Sequence, residues 1–441
     1  MHVERSNTAA KMSKALDILR RGDWVTPERI RLVACMLLIA SVASILYLVV
    51  TARNGVDLQG RPLGTDFSDV YAAGTSVLDG SPDAPFDPAQ QQARERAIFG
   101  EATPFYGWHY PPYFLFIATA LALMPYGIAL FVWQAVTLGL YLLAIHAILR
   151  SSSAGLRTEN PESVSSELTR SSLWLLLALA FPAVLVNVGH GQNGFLTAAL
   201  IGGALVVLDR RPLVAGILFG LLVYKPQFGL MIPIVLAASG RWRCFAAAAA
   251  TVMVLTLAAT FAFGAPVWHA FVVSTQFTRQ VVLEQGNTGW HKIQTVFSWA
   301  RMWGAPIPLA YALQGTVTIA LGAALVWLWR SSAPYSNKAA ALCLAAILAT
   351  PYSFDYDMVA LAPAIAFLAR DGLLRGFGAW EKTVLAALWV VPLFARSVAQ
   401  ISLIPIGVPA MLAAFILILR QTQLHLTLPM ARGLQVTRPP A

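Results

Sequence analysis

The sequence predicts an all-α integral membrane protein that crosses the bilayer about a dozen times. Three observations carry this. Of its 441 residues, 57% are hydrophobic and only 12% are charged, roughly half of the charge usual in a soluble domain. The mean hydropathy is +0.64. The charges gather in short runs between long apolar stretches, as expected of a chain that uses lipid as its solvent.

The elements follow in order. Residues 1–29 read as a polar cytoplasmic arm with a short interfacial helix. This arm is too long and too charged for the leader of a cleavable signal, so the first apolar run, 30–51, reads as a signal anchor. A polar segment, 52–109, rich in Gly, Pro and Asp, follows it; long loops without a span tend to carry function. The stretch 110–149 is apolar but interrupted by Met124-Pro125-Tyr126. It reads either as two short crossings or as one crossing preceded by a re-entrant piece. A Ser- and Glu-rich loop occupies 150–171, and further apolar segments cover 172–188, 194–208, 212–224, 226–238 and 243–263. A second long loop, 264–305, is rich in Trp, His and Gln, and the last apolar segments are 306–330, 338–350, 356–369, 382–396 and 400–420. The membrane domain is thus 30–420, with a cytoplasmic tail over 421–441.

The net charge of +10 reports topology and not nucleic-acid binding. The Lys and Arg residues sit at segment ends: Arg20, Arg21, Arg29 and Arg31; Arg210 and Arg211; Arg241 and Arg243; Arg330 and Lys338; Arg370, Arg375 and Lys382; Arg420. Cytoplasmic retention of such clusters puts 52–109, 189–193, 225–227, 264–305 and 350–357 on the opposite side. Both termini are then inside, so the crossings are even in number; taking 110–149 as one net crossing gives twelve. Several segments fall short of the roughly 20 residues of a straight crossing, which is tolerated where they line a polar cavity or are buried in protein. Cys35, Cys244 and Cys343 have no metal-ligand spacing and suggest no disulfide framework.

The side opposite the basic clusters collects the unusual polar residues. They are Asp66, Asp69, Tyr71, Asp79, Asp87, His109 and Tyr110; His190, Gln192 and Asn193 in "GHGQNG"; Lys225 in "YKPQ"; Trp290, His291 and Lys292; and Asp355 and Asp357 in "TPYSFDYD". Intramembrane charge costs about 2.5–3.5 kcal/mol per residue even on a lenient scale, so carboxylates and a lysine at one face suggest a shared polar cavity. The bland alternative is that each is a wet loop residue.

The strings "GTDFSDVYAAG", "YPPYFLFIATALALMPYGIALFVWQ", "GHGQNGFLTAALIGGALVVLDRRPLVAGILFGLLVYKPQFGL" and "TPYSFDYDMVALAPAIAFLAR" resemble the polyprenol-phosphate-mannose-dependent mannosyltransferases of glycosyltransferase family 87. The likeness runs from about residue 30 to 420. It implies a C-type glycosyltransferase fold with extracytoplasmic loops over a cavity, a lipid-phosphate sugar donor, and an acidic base just after the first span. The matching position is Asp66; Asp69 ranks second.

The residues agree with that chemistry. Displacing a polyprenyl phosphate from an anomeric carbon by a hydroxyl needs a base for the hydroxyl proton. Where glycosidases use two carboxylates, an already good leaving group makes the acid dispensable, and cations or donors on the phosphate help instead. Lys225, His190, His291 and Lys292 are candidates for that role. Lys225 at its Pro break is equally readable as snorkelling to the interface, and His190, Gln192 and Asn193 as capping a turn. Asp355 and Asp357, beside Tyr352, Phe354 and Tyr356, suit sugar hydroxyls, a metal or water, with sugar favoured. No dense carboxylate cluster suggests a metal, and no nucleotide-binding glycine loop is present, so no cofactor is expected.

The expected function is transfer of a hexose, mannose or a relative, from a polyprenyl-phosphate sugar to a lipid or cell-envelope glycan, with inversion, at the outer face of a bacterial inner membrane. The alternatives are a secondary transporter or lipid-linked-sugar flippase, which would place ionisable groups near mid-membrane and show an internal repeat, and a non-catalytic envelope-assembly partner, in which Asp66 is replaceable.

Overall fold

The computed structural model describes residues 2–151 and 172–435, with side chains described for 12–151 and 172–424. The Ser- and Glu-rich loop expected over 150–171 and the end of the tail lie outside the described residues. No strand occurs among the described residues, only three isolated β-bridges.

Helices α1 (His2–Arg21) and α2 (Pro27–Thr51) lead into the loop helices α3 (Phe67–Leu78) and α4 (Pro88–Phe99). The apolar stretch that follows divides at Pro125 into α5 (Leu115–Ala122) and α6 (Tyr126–Arg150). Next come α7 (Leu173–Leu179), α8 (Pro182–His190), α9 (Gly194–Val207), α10 (Pro212–Leu221), α11 (Met231–Ala238) and α12 (Trp242–Phe263). The second long loop holds α13 (Pro266–Phe277) and α14 (Val296–Met302). It is followed by α15 (Ile307–Arg330), α16 (Tyr335–Leu348), α17 (Leu361–Arg375), α18 (Glu381–Ser402) and α19 (Gly407–Gln435). Proline stands in the first turn of α2, α4, α8, α10 and α13, where its missing N–H costs no intrahelical bond.

Among the described residues, six helices are long and apolar enough to cross a bilayer: α2, α6, α12, α15, α18 and residues 407–424 of α19. The pair α7–α8, bent by 46°, makes seven when counted as one span. Length and composition thus mark six or seven spans among the described residues, against twelve expected segments of which several are short. With eight residues, α5 reaches only about 12 Å, so within 110–149 only α6 is long enough to cross. Four further apolar stretches, 194–207, 212–224, 226–238 and 335–348, are also shorter than a span. The segment expected over 356–369 is a 3-10 turn followed by α17, which carries buried Arg370 and Asp371.

The short helices share a reason. Asp209 pairs with Arg241, so the hairpin of α10 and α11 begins and ends at the same level. Arg241 also lies 5.5 Å from the Trp329 ring, Lys338 Nζ donates to Ser331 O, and the Tyr335 hydroxyl donates to Leu205 O. Nearby, Arg375 joins Asp371 and Glu381, Gln421 donates to Glu381, and Trp24 Nε1 donates to Thr383 Oγ1 at 3.0 Å. Most of the basic clusters thus close one end of the bundle. From that end, α9 and α16, each of 14 residues, rise about 21 Å, and α17, of 15 residues, spans about 22 Å. All stop at one level, as does the tip of the α10–α11 hairpin at Lys225. Each is shorter than the roughly 30 Å of a hydrocarbon core.

The hairpin is held by close backbone approach. A Cβ on Gly216 would stand 2.4 Å from Cys244 O and 2.5 Å from Ala247 Cβ on α12. Replacing it with Val is expected to force the helices apart and lower unfolding stability in detergent by about 1–3 kcal/mol. Gly139→Ala, with nothing within 4 Å, should leave stability unchanged or raise it; equal melting of the Gly216→Val variant and the native protein would contradict the packing described.

Candidate active site

The tight turn between α8 and α9 is the platform of the site. Asn187 closes it, Nδ2 donating to Gln192 O at 3.0 Å and Oδ1 accepting from Gly194 N at 2.8 Å. Trp133 Nε1 ties Gly191 O to α6 at 3.0 Å. Gly191 has φ +62, and a Cβ there would lie 2.5 Å from Phe67 Cβ and 2.9 Å from Gly64 O. Glycine is therefore required twice, for the left-handed backbone and for the approach of the first loop. That loop is fastened from its other side by the Tyr126 hydroxyl on Leu63 O.

This contact brings Asp66 to the turn. Its Oδ2 accepts from Gln192 Nε2 at 2.8 Å and its Oδ1 from Thr65 Oγ1 at 3.3 Å, with His190 Nδ1 at 3.6 Å. The Gln192 amide is oriented because Oε1 accepts from the Tyr110 hydroxyl at 3.1 Å and from Asn193 N at 3.3 Å. Burial alone would raise the Asp66 carboxyl, but His190, Gln192 and Thr65 together hold it below its ordinary value. It is an ionised acceptor at neutral pH.

On the far side of His190 stands Arg396, from α18. Its Nη2 is 3.2 Å from His190 Nε2 and 3.0 Å from Asp355 Oδ1, while Nε donates to Asp355 Oδ2. Below, Lys225 Nζ pairs with Asp357 Oδ1 at 2.6 Å and lies 5.3 Å and 5.5 Å from the rings of Tyr356 and Phe228. Asp357 Oδ2 also accepts from Phe354 N at 2.9 Å. With Lys225 only 5% exposed, its charge is engaged in holding the hairpin tip to the 353–357 turn. Lys292 differs: no carboxylate lies within salt-bridge distance of it among the described residues. Burial and the neighbouring Arg396 cation lower its ammonium, against the pull of Asp66 and Asp355. His291 is lowered by burial and by the Lys292 and Arg396 charges.

The structure therefore gathers Asp66, Tyr110, His190, Gln192 and Asp355 into one network, with His291 and Lys292 near its Arg396 end and Lys225–Asp357 beneath. The Asn193 backbone O accepts from the Tyr224 hydroxyl at 3.3 Å, and its Oδ1 is buried without a partner among the described residues. Tyr71 faces elsewhere, its hydroxyl on Met124 O at 3.0 Å and its ring edge-on to Tyr126. His109 bonds Thr278 Oγ1 at 2.8 Å in a small cleft with Phe105 and Phe277; burial lowers it to about 4. Tyr352 and Tyr356 pack beside Phe354 in a small core with Ile293 and Phe297, which fastens the second loop. Among the described residues, no group of three or more His, Cys, Asp or Glu could hold a metal ion.

Two residues escaped the sequence reading. Arg396 carried a signal, since a lone cation inside an apolar span marks a functional site by default. Glu95 did not. It lies on α4 with no exposed surface, accepting from Gln91 Nε2 at 3.4 Å and Tyr106 N at 3.3 Å. The same Gln91 nitrogen donates to Asp69 O. Burial raises Glu95 to about 7, and burial with the Glu95 and Asp66 charges holds Asp69 well above the usual carboxylate range. Of these three neighbouring carboxyls, Asp66 is the one held below its ordinary value.

Two outcomes are expected. Gly191→Ala should push the loop bearing Asp66 off the turn and reduce turnover by about 10²-fold while the protein still folds, as read by a transfer assay beside a melting curve. Glu95 binds its proton more tightly folded than unfolded, so its contribution to stability is full below about pH 4.5 and is lost as pH rises through about 7, on the order of 3 kcal/mol. Glu95→Gln should flatten that part of the melting profile between pH 5 and pH 8; an unchanged slope would show that Glu95 does not titrate there.

A model of glycosyltransferase family 87 matches residues 108–351, more than half of the chain. The match contains His190, Gln192, Lys225, His291 and Lys292 and stops short of Asp355, while Asp66 and Arg396 lie outside it. No curated protein and no solved structure matches the chain. With its apolar helices and this match, the chain belongs to glycosyltransferase family 87 and is a membrane glycosyltransferase.

Proposed function

We propose that this glycosyltransferase moves a hexose, mannose in the first instance, from a polyprenyl-phosphate sugar to a hydroxyl of a lipid or envelope glycan, with inversion and with Asp66 as base. The observation that carries the reading is the Asp66 carboxylate, fixed by Gln192 and Thr65 with the cations Arg396 and Lys292 on the far side of His190. A hydroxyl approaching Asp66 attacks the anomeric carbon as the bond from that carbon to the phosphate oxygen breaks. The hydroxyl proton goes to Asp66 and the electron pair leaves with the phosphate. Because polyprenyl phosphate is a stable anion, the base needs only to be ionised, which suits a carboxylate held below its ordinary value. Lys292 and His291 are the groups assigned to the departing phosphate, where charge stabilisation is most effective out of water. No metal or cofactor enters this scheme.

The level of the site supports a lipid-borne donor. An isoprenoid tail lies in hydrocarbon and its phosphate near the interface, and a polar layer at the ends of helices shorter than a span suits a phosphate held there. With the basic clusters read as cytoplasmic, the proposed chemistry lies at the extracytoplasmic face of a bacterial inner membrane, under the two long loops of a C-type fold.

Purified protein given radiolabelled polyprenyl-phosphate mannose and candidate acceptors should transfer label, and Asp66→Asn should lower the rate by about 10²–10⁴-fold. Undiminished transfer by the variant removes Asp66 as base. Transfer from a nucleotide sugar instead removes the lipid donor.

A further inference from the structure

The direction of the hydrogen bonds around His190 can be worked out from the partners alone. A guanidinium has only donors. The 3.2 Å contact between Arg396 Nη2 and His190 Nε2 is therefore a bond only if Nε2 is the acceptor, which leaves the ring proton on Nδ1. Nδ1 stands 2.8 Å from Thr65 Oγ1, so the imidazole donates and the Thr65 oxygen accepts. The Thr65 hydroxyl is then free to donate to Asp66 Oδ1 at 3.3 Å. On the other oxygen, the Gln192 amide is turned the same way by the Tyr110 hydroxyl. Every arrow ends on the Asp66 carboxylate.

What sets the direction is the pair behind the histidine. Asp355, buried with its side chain 2% exposed, receives both Arg396 Nε and Nη2. A buried carboxylate of this kind fixes a guanidinium plane far better than a flexible ammonium. The groups that face His190 are Thr65 and Asp66 from the first loop, Arg396 from α18, and Asp355 and Tyr356 from the turn before α17, the Tyr356 ring centroid being at 5.8 Å.

We infer that Asp355 and Arg396 are positioning residues that hold His190 as the Nδ1–H tautomer, and that this tautomer, through Thr65, keeps Asp66 aimed and acceptor-only. The inference rests on Asp66 being the base, but the tautomer is a property of the resting enzyme. With Arg396 donating to it, Nε2 cannot take up a proton. Without that donor the imidazole is free to charge, and an imidazolium beside Asp66 would make it a poorer base.

The test uses full-length protein in nanodiscs, labelled with nitrogen-15 at histidine, with His190→Gln assigning the resonance. In the native protein, Nδ1 should be protonated and Nε2 bare. Arg396→Lys keeps a cation for Asp355, so the fold is retained, but a point ammonium cannot serve both partners. In that variant His190 Nε2 should no longer be held as a bare acceptor, and the two ring-nitrogen resonances should depart from the native pattern. Transfer should fall about 10²-fold. A native His190 protonated at Nε2, or a variant whose His190 spectrum matches the native one, overturns the inference. If the tautomer is as stated but no polyprenyl-phosphate sugar is used, the relay stands and the donor assignment falls.

Discussion

An ionised side chain removed from water must find a counter-charge, and in this bundle that requirement decides where the chain can turn. Bringing an ion into a low-dielectric interior costs several kcal/mol unless a well-placed partner and further hydrogen bonds compensate. Arg396 enters from α18 and Lys225 from the tip of the α10–α11 hairpin, and the short turn at 353–357 answers both, with Asp355 for one and Asp357 for the other. The turn is thereby clamped from two sides. Its Ser353 carbonyl in turn accepts from Gln294 N at 2.8 Å and orders the second loop, which carries His291 and Lys292. Loss of either cation would leave a bare carboxylate in the same few residues.

The short helices are the structural counterpart of that clamp. A helix that runs the full thickness of a bilayer has every backbone group bonded along its length and offers no place for irregular chain. Where α9, the hairpin and α16 stop early, the exposed ends need protein partners, and the turn at 187–194 supplies them through Asn187 and Trp133. The polar layer is thus both the cause and the beneficiary of the missing turns.

How much of this was legible in the sequence depends on the range of the interaction concerned. Apolar runs and their Pro breaks fix helix positions locally, so α2, α6, α12 and α15 lie where hydropathy puts them. Length is where that reading stops. Hydropathy marks 194–207 as apolar but does not say that 14 residues end at a polar floor. Asp66, His190 and Gln192 were visible as polar residues at segment ends, and their convergence was only a shared sidedness until Gly191 joined them. The pairings were out of reach. Lys225 and Asp357 are 132 positions apart and Arg396 and Asp355 are 41 apart, distances at which spacing carries no information. Tyr71 and His109 show the opposite failure, since residue type and loop matched the chemistry but the direction of the side chain did not follow from either.

The separation between Lys225 and its carboxylate also matters during synthesis. At 5–20 residues per second, a gap of 132 residues leaves the lysine without its partner for roughly 7 to 26 seconds after it emerges. Through that interval the hairpin tip has no reason to settle among lipid tails, and water, the insertion machinery or a chaperone must keep it. The hairpin therefore cannot take its final seat when it is made. It must wait for the 353–357 turn, and the last spans act as the step that locks the earlier ones, so that a ribosome stalled before residue 355 leaves a chain threaded through the membrane yet unable to close its own floor.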